Sequence, residues 1–90
     1  MPVVYIHPSL QRLVEGNLRE FKFQELKKSE LFPILFKNHP QLKAALASKS
    51  GGLNQYVNVY INGKHSRHFD DDHKLEADDQ VEIVTSLVGG

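Results

Sequence analysis

The stretch Tyr56–Phe69, YVNVYINGKHSRHF, contains the clearest folding signal in the chain. Apolar residues at positions 57, 59 and 61 alternate with Asn58 and Tyr60, which is the period of a strand with one buried face. The pair Asn62-Gly63 follows at once, and both residue types tolerate a positive φ. The stretch therefore predicts a β-hairpin that turns at residues 62 and 63.

Two segments near the N-terminus predict a second, antiparallel pair of strands. Val3–Ile6 is a β-rich apolar run, and Phe21 and Phe23 lie two residues apart in the later segment LREFKF. The sequence EGN at 15–17 has the composition of a turn. We expect the two segments to pair as a hairpin with a long connection.

The segment SELFPILFKNHPQLKAAL, residues 29–46, predicts the main helix. Leucines at positions 31 and 35 share one helical face, and Ser29 is the expected N-cap. Pro33 is expected in the first turn, where a missing N–H group costs least. Pro40 is expected to end the helix near residue 38 or to open a short second helix through Ala45.

The last pattern, QVEIVTSLV at 80–88, alternates as a strand and ends before Gly89. An acidic turn region with Leu75 as its one apolar anchor precedes it. The order of elements predicts an α+β fold, a β-grasp roll in which a mixed sheet of four to five strands has one main helix on one face. We expect a single domain over 1–90 whose residues 86–90 form a flexible tail.

Composition excludes several classes of protein. Ninety residues support one small core. The absence of cysteine rules out disulfides, thiolate zinc sites and cysteine nucleophiles, and a cytoplasmic protein is the default expectation. No apolar run approaches the length of a membrane helix, about 18 residues, and the N-terminus lacks the features of a signal peptide.

Charge is balanced overall but not along the chain. Lys plus Arg and Asp plus Glu number 11 each, so net charge calls for neither nucleic acid nor a membrane as a partner. Residues 1–50 are mainly basic, whereas residues 51–90 carry three basic and seven acidic side chains. If the C-terminal region docks on a partner, we expect a basic partner surface.

Three segments, VNVYINGKHSRHF, LEADDQVEIV and the closing VGG, together resemble the MoaD/ThiS-type ubiquitin-like sulfur carriers. The phrase YVNVYING is most similar to the cysteine-biosynthesis branch. The matching residues are Asn62, Gly63, Asp79, Val81, Gly89 and Gly90.

Two positions depart from the family pattern. Asp78 stands where the family has a glycine, which is tolerable if this aspartate is left-handed. Thr85-Ser86 replaces a frequent Pro-Pro, and this weakens assignment as the small subunit of molybdopterin synthase.

The resemblance implies that the chain is not an enzyme but a protein co-substrate. An ATP-dependent activating enzyme would adenylate the carboxylate of Gly90, a sulfur donor would convert it to a thiocarboxylate, and a biosynthetic enzyme would accept the sulfur for cysteine or a related thiol or cofactor. No tightly bound cofactor is implied, because the partner uses the ATP, and the free carrier is expected to be a monomer. Gly89 and Gly90 would thread the partner's active site, and five extended residues reach roughly 17 Å.

Alternation along the strands places a candidate docking patch beside this tail. If the residues at 57, 59 and 61 face the helix, Tyr60 lies on the outer face of the sheet, with Val84, Leu87 and Val88 on the last strand as further partner-binding residues. Surface apolar residues are also common without any function.

Other constellations favour ordinary surface chemistry. His65, His68 and His73, with the aspartates at 70–72, could ligate a metal, but no spacing matches a closed site and solvation explains them better. The lysines of ELKK and those at 37, 43 and 49 form a basic stripe with few aromatic residues for stacking on bases. Three functional alternatives stay open: a protein modifier that forms isopeptide bonds through Gly90, a stable subunit of a molybdopterin-synthase-type complex, and a simple interaction module.

Overall fold

The computed structural model describes residues 1–14, 16, 19–49 and 52–85. Within them, strands and helices follow one another in this order: β1 (Val3–Ile6), α1 (Pro8–Gln11), β2 (Glu20–Lys22), β3 (Leu26–Lys27), α2 (Lys28–Asn38), α3 (Pro40–Leu46), β4 (Val57–Ile61), β5 (Lys64–His65), β6 (Lys74–Leu75) and β7 (Gln80–Thr85). A short 3₁₀ turn, Ser66–His68, follows β5.

The main sheet is mixed and has five strands in the order β2-β1-β7-β4-β5. The two N-terminal strands pair antiparallel, with Val4 opposite Phe21. Strand β7 is central, parallel to β1 and antiparallel to β4. This arrangement confirms the predicted α+β β-grasp fold.

Alternation along the strands gives the sheet a buried inner face. The residues that are less than a tenth exposed on β1, β4 and β7 are Val4, Ile6, Val59, Ile61, Val81 and Ile83. Leucines of α2 and α3, at positions 31, 35, 42 and 46, join them in one hydrophobic cluster. Full burial of one such side chain contributes about 2 kcal/mol, so this layer of leucines holds the helices to the sheet.

The predicted hairpin at residues 62 and 63 is confirmed. Asn62 has a φ of 51° and Gly63 a φ of 84°, as a two-residue turn with two left-handed positions requires. Asn62 is the one non-glycine residue with positive φ in the described part of the chain. Asp78 is therefore not left-handed, so the condition under which an aspartate replaces the family's glycine is not met. That turn needs no glycine here, because its backbone stays at negative φ.

The main helix begins earlier than predicted. Its N-cap is Lys27, not Ser29, and the Lys27 N–H donates to Glu30 Oε1 at 2.8 Å. Pro33 consequently lies in the second turn and not in the first. At that position the carbonyl of Ser29 receives no helical hydrogen bond, because proline has no N–H to donate. The expectations for Pro40 are confirmed, since α2 ends at Asn38 and α3 starts at this proline.

Two short features were not predicted. Strands β3 and β6 form a second, two-stranded sheet in which Leu26 faces Leu75, and Leu75 is fully buried. Helix α1 is one turn long, and His7 caps it by accepting the Ser9 N–H through Nδ1 at 3.1 Å. Of the predicted EGN turn, Gly16 has a φ of 80°, while residues 15 and 17 lie outside the described part.

Candidate functional site

The predicted site is the segment that follows β7. Its proposed residues Leu87, Val88, Gly89 and Gly90 lie outside the described residues, so the site is described from the strand that leads into it. Strand β7 is held on both sides almost to its end. The His7 N–H donates to the Ile83 carbonyl at 3.1 Å, and Thr85 lies opposite Val57. The point from which residue 86 continues is thereby fixed relative to the whole sheet.

A side-chain contact between two turns fixes the start of β7. Asn62 Nδ2 donates to Asp79 Oδ1 at 2.8 Å, and Asn62 Oδ1 accepts the Gln80 N–H at 2.9 Å. Asp79 Oδ2 in turn accepts the Glu76 N–H at 2.7 Å. We call this the Asn62–Asp79 bridge. The bridge joins the Asn-Gly hairpin to the aspartate that precedes the last strand.

The outer face of the sheet carries the two predicted docking residues that the structure describes. Tyr60 lies opposite Glu82, and Val84 lies opposite Asn58, so these side chains share the face that points away from the helices. Both Tyr60 and Val84 are partly exposed. The structure thus brings these two residues to one surface on adjacent strands.

Sequence reasoning missed Tyr5 at this surface. Tyr5 lies next to Glu82 across the parallel β1–β7 pair, on the face opposite to buried Val4 and Ile6. Period-two alternation in VVYI was the signal that could have identified it. We define the outer-face patch as Tyr5, Tyr60, Glu82 and Val84. It is a mixed surface of aromatic, aliphatic and carboxylate groups.

The ring of Tyr60 is oriented by His65 on the neighbouring strand. The two rings meet edge to face, with centroids 5.4 Å apart. His65 Nδ1 accepts the Arg67 N–H at 3.2 Å, so the proton lies on Nε2, which is 3.2 Å from Asn58 Oδ1. These contacts fix His65, and through it they restrict the directions available to Tyr60.

A shallow cavity of about 410 Å³ lies beside the patch, along the β1–β7 pair. Its lining includes Tyr5, His7, Arg19, Glu82 and Val84. Arg19 and Glu82 are both exposed, and they give the cavity one charged group of each sign. The cavity extends the patch toward the end of β7, and a partner's side chain could therefore enter it close to residue 85.

Several of the histidines and aspartates that were weighed as metal ligands have other contacts. His73 packs on Phe69 with ring centroids 4.7 Å apart. Asp71 and Asp72 lie 3.9 Å from the ammonium groups of Lys28 and Lys27. Over the ranges 1–14, 16, 19–49 and 52–85, no group of three or more such side chains is placed to hold a metal ion. The acidic run therefore neutralises one end of the basic stripe.

The central last strand, the Asn62–Asp79 bridge at its start and the outer-face patch are features of one β-grasp domain. The sequence model of the ThiS family matches residues 13–90. The chain therefore belongs to the ThiS family, whose members are small ubiquitin-like sulfur-carrier proteins and not enzymes.

Three solved structures share the fold of this chain. The CysO chain in the Amycolatopsis orientalis BexX/CysO complex is 21% identical, with 100% of both chains covered and a TM-score of 0.78. Small archaeal modifier protein 1 from Methanosarcina acetivorans is 23% identical, with 99% of this chain and 95% of that chain covered and a TM-score of 0.74. Mycobacterium tuberculosis CysO, described as an antigen, is 23% identical over 94% and 98% of the two chains, with a TM-score of 0.72.

A search of curated proteins gave no significant match. In the described part of the chain, none of the helices has the length and apolar character that a bilayer span requires.

Proposed function

We propose that this chain carries sulfur as a thiocarboxylate on the carboxylate of Gly90. The observation that supports the proposal is the family match, which covers residues 13–90 and therefore includes Gly89 and Gly90. The carboxylate attacks the α-phosphate of ATP in the active site of an adenylating partner, and pyrophosphate leaves. A sulfur nucleophile then displaces AMP from the acyl-adenylate and leaves sulfur in place of one oxygen. All catalytic groups belong to the partners.

Sulfur transfer to a biosynthetic enzyme, for cysteine or a related thiol or cofactor, is the second half of the proposal. It is supported by the resemblance of YVNVYING to the cysteine-biosynthesis branch and by a structural neighbour that was crystallised as a BexX/CysO complex. The carrier works in the cytoplasm, where ATP and the partner enzymes are available, and it needs no bound cofactor of its own.

Intact-protein mass spectrometry tests the carrier chemistry. The chain is incubated with ATP, a sulfide source and a candidate adenylating enzyme, beside a variant that lacks Gly90. We expect a mass gain equal to the difference between one sulfur and one oxygen atom in the full chain alone. If the chain instead becomes linked to lysines of other proteins, it is a modifier. Co-purification of a larger subunit in equal amount would identify a stable complex.

The outer-face patch is proposed as the docking surface for the adenylating enzyme, together with Leu87 and Val88. Val84→Lys should weaken binding to that enzyme about tenfold or more, because it places a cation at the centre of a partly apolar contact. Ile34→Lys is the matched control, since Ile34 is exposed to 38% on α2, away from the sheet's outer face. Equal loss of binding in both variants would contradict docking through this face.

A further inference from the structure

The helical layer contains a groove that the carrier chemistry does not use. Its volume is about 530 Å³, which is within the range of ligand clefts, about 300–1,000 Å³. It is lined by residues of α2, by Lys43 of α3, by residues 47, 48, 52 and 53, and by Ser66 and Asp71. None of these described lining residues belongs to the five-stranded sheet. The groove and the outer-face patch therefore lie on different sides of the molecule.

The floor of the groove is apolar and aromatic. Phe32 and Phe36 lie one helical turn apart on α2, with ring centroids 5.5 Å apart and planes tilted by 46°. Leu53 borders them, and all three side chains are partly exposed while packing on the hydrophobic core. Such a floor can receive an aromatic or aliphatic side chain without any rearrangement of the core.

The rim of the groove has an excess of positive charge. Lys28 and Lys43 line the groove, against one acidic side chain. Lys43 is exposed, and no ion pair among the described residues involves it. Asp71 is the acidic residue of the lining, and it lies 3.9 Å from the Lys28 ammonium group.

We propose that this groove, which we call the lysine-rimmed groove, binds an acidic peptide segment of a partner protein. Aromatic or aliphatic side chains of the peptide would occupy the floor between Phe32, Phe36 and Leu53, and carboxylates of the peptide would face Lys43. Charge complementarity and the apolar floor together select this class of partner.

Two other occupants fit less well. A membrane surface is contacted by protruding apolar side chains, whereas this floor is concave. A second copy of the chain would have to offer an acidic segment, and the acidic run at 71 and 72 already faces the molecule's own Lys27 and Lys28. The assignment does not depend on the chemistry of Gly90, because none of the described residues that line the groove belongs to β7.

The test uses the full ¹⁵N-labelled chain and three capped peptides: an acidic one with apolar side chains (EFDLEE), its basic counterpart (KFKLKK) and an acidic one without them (EADAEE). NMR titration at physiological salt follows the backbone amides. We expect the first peptide to shift the backbone amide resonances of Phe32, Phe36 and Leu53. The other two peptides should bind at least about threefold more weakly, since both the charge and the apolar contact contribute to affinity.

Lys43→Glu should weaken binding of the first peptide about three- to tenfold, as expected for reversal of one exposed charge at the contact. Lys22→Glu is the matched control. It makes the same change of net charge on exposed Lys22 of β2, on the outer face of the sheet, and should alter binding by less than about twofold.

Several results would overturn the proposal. These are equal weakening by the two variants, equal binding of the acidic and basic peptides, and shifts confined to the outer-face patch. Concentration-dependent shifts at the groove without any peptide would assign it to a second copy instead. Binding to anionic phospholipid vesicles that Lys43→Glu abolishes, with no peptide binding, would assign it to a lipid surface. None of these results bears on whether Gly90 carries sulfur, which the mass measurement decides separately.

Discussion

The Asn62–Asp79 bridge should contribute measurably to stability, and two substitutions at one position separate its components. Asn62→Gly removes the two side-chain hydrogen bonds, of 2.8 and 2.9 Å, while keeping a residue that accepts a φ of 51°. Each exposed hydrogen bond contributes about 0.5–1 kcal/mol, so we expect a loss of about 1–2 kcal/mol. Asn62→Ala loses the same bonds and adds the steric cost of a Cβ atom on a backbone with left-handed φ. We expect this variant to be about 1 kcal/mol less stable than Asn62→Gly, after allowance for the larger unfolded-state entropy of glycine.

Urea denaturation of the full chain, followed by far-ultraviolet circular dichroism, measures both losses. In a domain of this size, each kcal/mol also lowers the Tm by about 4–8 °C. Asp79→Ala, alone and combined with Asn62→Gly, completes a double-mutant cycle, and we expect a coupling free energy of about 0.5–1 kcal/mol. If Asn62→Gly is as stable as the parent, the bridge contributes nothing. If the glycine and alanine variants are equally stable, the left-handed conformation of residue 62 carries no cost, and the reasoning fails.

Three further substitutions test the core and the helix. Leu75→Ala should lower the free energy of unfolding, measured by urea denaturation, by about 2–5 kcal/mol, because Leu75 is fully buried. Lys74→Ala, at the neighbouring position, removes only an exposed 3.3 Å ion pair and should lower it by less than about 1 kcal/mol. Pro33→Ala should raise the Tm by several degrees, since it restores an N–H inside α2, whereas Pro40→Ala at the first position of α3 should give no gain. Glu30→Ala should cost about 0.5–1 kcal/mol through loss of the bond from the Lys27 N–H, and Glu30→Gln, which can still accept that bond, should recover most of it.

Features set by neighbouring residues were predictable from the sequence. The Asn62-Gly63 turn is encoded by two adjacent residues, and the alternation around it fixes which face of the strand is buried. The break between α2 and α3 follows equally directly from Pro40, whose ring prevents the helix from continuing. In each case the physical cause acts within a few residues.

Features set by contacts distant in sequence were not predictable in this way. Strands β3 and β6 have two residues each, which is too short for any periodic pattern, and they exist because Leu26 and Leu75 meet in the core. The N-cap is Lys27 and not the predicted Ser29, because pairing of β3 with β6 holds the backbone extended up to Lys27.

The candidate site also combines features that local sequence predicts with features that depend on distant contacts. Tyr60 and Val84 could be assigned to the outer face from alternation, but their meeting with Tyr5 depends on the parallel pairing of β1 with β7, which no local signal encodes. Asn62 and Asp79 were both singled out for their resemblance to a family pattern. Their direct hydrogen bond depends on how the fold brings the two turns together, and the sequence did not predict it.

The central position of β7 also decides when this protein can fold during its synthesis. Val4 pairs with Val81, so the middle of the sheet joins segments from opposite ends of the chain, and such pairings close slowly. On the ribosome, β1 and β4 emerge first and have no partner between them until β7 follows. A chain released before residue 80 therefore lacks the strand that connects the two halves of the sheet. Such fragments cannot complete the sheet and expose the unpaired edges of β1 and β4.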